Sequence, residues 1–294
     1  MLTMSNPSSA VVIPFRRPDR NSRLRRISHG VYVPATDPET LMARARAIVA
    51  NSRRGNVAVD RTAGWLHGID TYGWSEAHDD PPLEFCAPPG GPRIERSDVR
   101  GRNRTLHPSD LMELHGVTLT TPVRTALDLG CVLRRREALA ALDSFARLHG
   151  VTASDMRANL PRFRGRRGVV QLRELIDYMD PRSESPRESW LRLAIIDAGL
   201  PAPEPQVWIP IGDEPTYRLD LAYRLARVAV EYDSTEFHST VEQRVRDERR
   251  RRDLEALGWT FIVVKEGDFQ PQRLDEWTTR LRTALASTYS SRRW

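Results

Sequence analysis

TYRLDLAY at residues 216–223 and RVAVEYD at residues 227–233 decide how the C-terminal half of this chain folds. Both alternate as strands do, with successive side chains on opposite faces. In the first, Tyr217, Leu219, Leu221 and Tyr223 share one face, and Asp220 takes the other with Arg218 and Ala222. In the second, Val228, Val230 and Tyr232 share one face, and Glu231 and Asp233 take the other. Joined as a hairpin with residues 224–227 as its loop, they set Tyr223 opposite Val228 and Asp220 opposite Glu231. Directly opposed side chains have Cβ atoms about 4.5–5.5 Å apart. Two carboxylates that close either face solvent on an open sheet or share a cation. A hard divalent ion, Mg²⁺ (or Mn²⁺), suits the second case.

The flanking sequence extends the hairpin into a domain. SPRESWLRLAIIDAGLP (185–201) is marked as a helix by Ser185 at the N-cap, Pro186 at N1, Glu188 at N3, and Gly199 then Pro201 at its end. QVWIPI (206–211) reads as a strand. Downstream come a charged helix from about Val241 to Leu257, a stop at Gly258, a fourth strand WTFIVVK (259–265) and a helix over about 271–286. The order α-β-β-β-α-β-α predicts an α/β sandwich around a mixed sheet. Phe261 to Val264 is apolar on both sides, which predicts a sheet covered on both faces.

Three further features bear on chemistry. Glu188 stands three residues before Leu191 and seven before Ile195, so it projects from the apolar stripe of its helix. Either the capping box Ser185-x-x-Glu188 satisfies it, or it joins Asp220 and Glu231. His238 lies in the turn DSTEFHSTVEQ, either as a solvated residue or as a general acid or base near neutral pH. Ser239-x-x-Glu242 and Thr240-x-x-Gln243 both have capping-box spacing and fix the start of the next helix. That helix has no apolar residue from Arg246 to Asp253. It is either a surface helix laced with i,i+4 pairs or a phosphate-facing one, with Arg246, Arg249 and Arg250 as DNA contacts.

The N-terminal half is less regular. Residues 1–22 are polar and Ser/Pro/Arg-rich, and read as a disordered arm. RLRRISHGVYVPA (23–35) reads as a short hairpin, 37–51 as a helix, and 56–69 as a strand running into a short helix. Residues 70–104 are loop-like apart from a strand at 83–87. Helices follow at 121–149 (two, the first opened by Thr121-Pro122), 152–160 and 169–179. Together these make residues 23–180 an α-rich, basic region with a short hairpin. PRFRGRRG (161–168) is either a solvated loop or a phosphate-contacting one, through Arg164, Arg166 and Arg167. MDPRSESP (179–186) is a linker by composition, which places the second domain at 181–294.

Composition agrees with this division. The 294 residues suit about two domains. Basic residues exceed acidic ones by 45 − 39 = 6, and only Lys265 among them is not arginine. Such a balance fits a polyanionic partner. No apolar run reaches the ~18 residues of a membrane span. The N-terminus makes a poor signal peptide, and Cys86 and Cys131 are too few for a disulfide scaffold or a zinc site. A cytoplasmic protein is expected.

The pattern EYD…H…RD…RR…LEALGW, followed by a strand, resembles the PD-(D/E)XK nuclease superfamily over roughly 180–286. More narrowly, it resembles the small domains related to very-short-patch-repair endonucleases. RGRRGVVQLRELIDYMDPRSESPRESWLRLAIIDAGLPAPEPQ is similar to a signature in a large group of actinobacterial proteins. Their N-terminal halves resemble the AbiEi antitoxin of type IV toxin–antitoxin systems, matched here by RISHGVYVP and AVDRTAGWLHGI within roughly 23–150.

The nuclease resemblance implies that Asp220 and Glu231 hold Mg²⁺, Glu188 holds a metal-bound water and His238 assists proton transfer, in hydrolysis of DNA phosphodiester bonds. Such an endonuclease would serve defence or DNA repair. Two departures stand out. The lysine position of the E-x-K element holds Asp233, so Lys265 on the last strand is the candidate replacement. The helix-turn-helix that should precede the hairpin wing is missing. The competing expectation is a non-catalytic, antitoxin-like DNA-binding regulator that keeps the nuclease fold as a scaffold, with a toxin or other protein as a further partner. A purely protein-binding module is the third reading.

Overall fold

The computed structural model describes residues 24–28, 31–34, 41–50, 55–71, 83–87, 91, 99–212, 214–233 and 241–290. The proposed arm at 1–22, His238, and the cap residues Ser239 and Thr240 lie outside them. The chain forms two compact units, one of residues 1–133 with 154–173 and one of 134–153 with 174–294. Among the described residues no helix is long and apolar enough to cross a membrane.

In the first unit, β1 (Leu24–Ser28) and β2 (Val31–Pro34) form the antiparallel hairpin read from the sequence. Then come α1 (Leu41–Ala50), β3 (Val57–Ala58), α2 (Asp60–Leu66), β4 (Leu83–Cys86), β5 (Val99–Arg102), β6 (Leu111–Leu114), β7 (Val117–Thr120) and α3 (Pro122–Val132). The helices expected over 23–180 are present, and with them runs a five-stranded mixed sheet in the order β5-β4-β3-β7-β6, of which only β3 and β4 were expected. Its strands have only two to four residues, too few to show a period. One of them, β5, is VRGR. Its arginine charge reads as a loop from sequence, yet Arg102 Nη2 lies 2.5 Å from Glu84 Oε1 on β4. The core joins Ala45 and Ile48 of α1 to Ala58, Phe85, Val99 and Leu119 of the sheet.

The helix α4 (Arg135–His149) belongs to the second unit. The chain then makes α5 (Ala153–Asn159), a 3-10 turn at Leu160–Phe163 and α6 (Val169–Tyr178). Gly168 precedes α6 with φ +84°, and a Cβ there would lie 2.0 Å from the Cys131 carbonyl oxygen. Only glycine permits that approach. It brings Gln171 Nε2 within 2.9 and 3.1 Å of the last carbonyls of α3, at Gly130 and Leu133.

The second unit continues with α7 (Pro186–Asp197), β8 (Glu204–Ile211), β9 (Glu214–Tyr223), β10 (Val228–Tyr232), α8 (Val241–Ala256), β11 (Thr260–Val264) and α9 (Pro271–Ser290). The element order is the one read from sequence. The sheet runs β11-β10-β9-β8, antiparallel except for the parallel pair β10–β11, which α8 connects. Both faces are covered. One packs Leu221, Val230 and Ile262 against Leu191 and Ile195 of α7 and Trp277 and Leu281 of α9. The other packs Leu219, Ala222 and Ala229 against Leu254 of α8.

Those two clusters correct the alternation expected for β9. Tyr217 and Leu219 pack on the α8 side, whereas Leu221 and Tyr223 pack on the α7 side. Arg218 reaches Glu184, just before α7, and Tyr217 Oη donates to Asp253 of α8 at 2.6 Å. The faces therefore reverse at Asp220. Across from it on β8, Gln206, flanked by the pairs Pro205–Leu221 and Val207–Leu219, has φ +54°. A left-handed residue inside a strand bends it and re-aims the side chains around it.

α4 packs on α7 through a buried ion pair, Arg192 Nη2 to Asp143 Oδ2 at 2.6 Å. The Asp180 backbone N–H donates to the other Asp143 oxygen at 2.8 Å. A buried carboxylate so surrounded has its lone pairs satisfied.

Candidate functional site

The hairpin register is the predicted one: Tyr223 pairs with Val228 and Leu221 with Val230. One step further along, Asp220 is the neighbour of Glu231. Asp220 is half-buried, and its carboxyl is pushed up to about 6, first by burial, then by the charges of Glu231 and Glu188. Arg250 and the Tyr232 backbone N–H act the other way. Three acids from α7, β9 and β10 thus converge, because the reversal at Asp220 lets one side chain meet both layers.

Each of the other two acids already has partners. Glu188 keeps half of the capping box: Ser185 Oγ accepts its N–H at 3.2 Å. Its own Oε2 accepts from the Glu184 N–H at 2.9 Å rather than from Ser185, and from Gln206 Nε2 at 2.7 Å. Glu231 is covered by Arg250 of α8, whose Nη1 lies 3.2 Å from Oε2 while Nη2 bonds Oε1. Arg250 Nη2 also donates to the Arg218 carbonyl at 2.9 Å. The Arg250 guanidinium, expected as a phosphate contact, is thus already paired with Glu231 and the Arg218 carbonyl. The polar face of α8 gives no sequence sign of which arginine turns inward. Gln206 was also missed, although it is a polar residue at the strand position facing Asp220.

The remaining candidates are spread out. Asp233 extends β10, its N–H donating to Val264 O at 2.9 Å, and Lys265 Nζ lies 3.8 Å from Asp233 Oδ2. Arg246 is exposed, and Arg249 is exposed with Asp253 at 3.9 Å. In the 161–168 loop, Arg164 and Arg167 are exposed, but Arg166 turns inward and pairs with buried Asp128. Arg166 is thus in part a structural cation.

Among the described residues, no group of three or more His, Cys, Asp or Glu is placed to hold a metal ion. With both Glu231 oxygens on a guanidinium, the carboxylates as arranged do not fit Mg²⁺. Cys86 and Cys131 are buried and free, and burial pushes both thiols up to about 11, so neither is a ready nucleophile.

Comparison with known proteins places the chain in a family. Residues 56–178 match the AbiEi antitoxin C-terminal domain. Two uncharacterized proteins from two strains of Mycobacterium tuberculosis, MT2308 and Rv2248, are each 35% identical over 257 residues, covering 87% of this chain and 91% of theirs. The chain belongs to the family of these mycobacterial proteins. No solved structure matches it.

Proposed function

We propose that the protein is an antitoxin-like, DNA-binding regulator whose C-terminal sandwich is a nuclease-like scaffold. The AbiEi antitoxin match at 56–178 carries this reading. The Arg250–Glu231 pair supports the scaffold role, since it supplies the positive charge a metal would otherwise bring to adjacent carboxylates. Exposed Arg164, Arg167, Arg246 and Arg249 provide sequence-independent phosphate contacts. The test is duplex DNA binding by fluorescence anisotropy across a salt series, with Mg²⁺ or Mn²⁺ added in parallel. The expected result is salt-dependent binding with intact DNA throughout. An absence of binding at low salt sinks the reading.

A second reading, a DNA endonuclease acting on phosphodiester bonds, is favoured by one observation: Asp220, Glu231 and Glu188 converge. Cleavage that requires a divalent ion and disappears in Asp220→Asn would establish it over the scaffold.

A further inference from the structure

The first unit contains a cavity of about 400 Å³ that the DNA-binding reading does not use. Four arginines line it, Arg104, Arg124, Arg162 and Arg166, and among the described residues no acidic one does. Loop arginines on a surface are flexible; these are fixed from behind. Arg124 Nη1 and Arg162 Nη2 lie 2.9 and 2.5 Å from Asp110 Oδ2. Arg124 Nε lies 3.0 Å from Asp128 Oδ2, and Arg166 holds the other Asp128 oxygen. Phe163 sits between Arg124 and Arg166, their guanidinium carbons 5.2 and 4.8 Å from its ring centroid. Arg104 Nη2 lies 2.5 Å from Asp60 Oδ2. Asp60 is fully buried and takes φ +49°, a costly conformation for a residue other than glycine. The pairing with this buried carboxylate keeps Arg104 in place.

Groups are left over on both sides: Asp60 Oδ1 is buried and accepts no hydrogen bond among the described residues. Arg104 Nε and Arg166 Nη2 are buried and donate to no acceptor among the described residues. Two buried guanidinium N–H groups left over beside one cavity can meet an acceptor brought from outside the network. A tetrahedral oxyanion brings several acceptors at once, and guanidinium forks match it. The cavity is also larger than a phosphate needs and lies within the range of small-molecule sites.

We propose that this cavity binds a phosphoryl group carried on a nucleotide-sized body, either a free nucleotide or the 5′ end of a nucleic acid strand. It goes beyond the DNA-binding reading, whose contacts Arg164 and Arg167 do not line the cavity.

The experiment is isothermal titration of the full-length protein with pyrophosphate and with ATP at fixed ionic strength, for wild type, Arg162→Gln, Arg166→Gln and Arg164→Gln. Arg162→Gln and Arg166→Gln each leave their aspartate paired with Arg124, so the fold is retained. Saturable binding is expected, weakened about tenfold or more by Arg162→Gln and Arg166→Gln and unchanged by Arg164→Gln. Displacement of ATP by a 5′-phosphorylated oligonucleotide, and not by its 5′-hydroxyl twin, assigns the site to strand ends. Failure of both oligonucleotides to displace ATP assigns it to a free nucleotide. The proposal is overturned if neither probe saturates, or if Arg164→Gln weakens binding as much as Arg162→Gln. Loss of the salt-dependent duplex binding with ATP binding intact would overturn the regulator reading alone.

Discussion

Arg250 and Glu231 meet fork to fork, Nη1 to Oε2 at 3.2 Å and Nη2 on Oε1, across the gap between α8 and β10. The pair is mostly buried, at 28% and 15% side-chain exposure. Removing one member strands the other beside Asp220. Arg250→Met should cost about 1–3 kcal/mol in urea unfolding, somewhat less than a fully buried pair. Adding Glu231→Gln should recover at least half of that loss, because the stranded charge goes with it. A double-variant loss equal to the sum of the Arg250→Met and Glu231→Gln losses would show that the pair is not coupled.

Asp220 gives the second test. Its carboxyl holds a proton more tightly folded, at about 6, than at the ordinary 3.8. The associated stability is fully present below about pH 3.8 and is lost as pH rises through 6. At pH 7.5 the ionised group is a burden, so Asp220→Asn should stabilise the protein by about 1–3 kcal/mol there. At pH 4 the variant and wild type should melt together. A constant difference across pH 4–8 would argue against the buried, crowded carboxyl.

Glu188 should be visible through Asp220. Glu188→Gln keeps Ser185 as the cap and can still accept from Glu184 N–H. Its effect on stability should stay within about 1 kcal/mol. The carboxyl titration of Asp220, followed by NMR, should move down toward the ordinary range. An unmoved midpoint would separate the two residues electrostatically.

The loop arginines should divide by role. Replacing Arg164 and Arg167 with Gln should reduce the salt slope of duplex binding by about 0.9 per lost phosphate contact, with stability unchanged. An unchanged slope would assign both to solvent.

Gly168→Ala should be severe. The new methyl would meet the Cys131 carbonyl at 2.0 Å with φ held at +84°. A loss of about 3 kcal/mol or more is expected from strain and overpacking together. Wild-type stability in this variant would mean that the α3–α6 approach is not as tight as described.

The sequence made some of this legible and hid the rest for identifiable reasons. The β9–β10 register follows from alternation and a short loop, and the start of α7 follows from Ser185 and Pro186. Side-chain direction along β9 did not follow, because strict alternation breaks at Asp220. The break lies across from the left-handed backbone of Gln206, which a glutamine does not advertise. Arg250 looked like its exposed neighbours because its acidic partner lies 19 residues away on another element. In the first unit's sheet β3 and β4 were legible, whereas β5, β6 and β7 stayed hidden because they are short or charged, Arg102 of β5 meeting Glu84 of β4 only in three dimensions.

The buried pair between Asp143 and Arg192 has a consequence for inheritance. Residues 56–178 match one antitoxin domain, yet α4 within them lays its charge on α7, beyond their end. A gene split near codon 180 would yield a first product with Asp143 sealed against nothing and a second with an orphaned Arg192. Breaking such a pair costs about 3–5 kcal/mol, a large part of a domain's whole stability. The halves should therefore travel through genomes as one cassette, and the mycobacterial relatives, aligned over 87% of this chain, carry both.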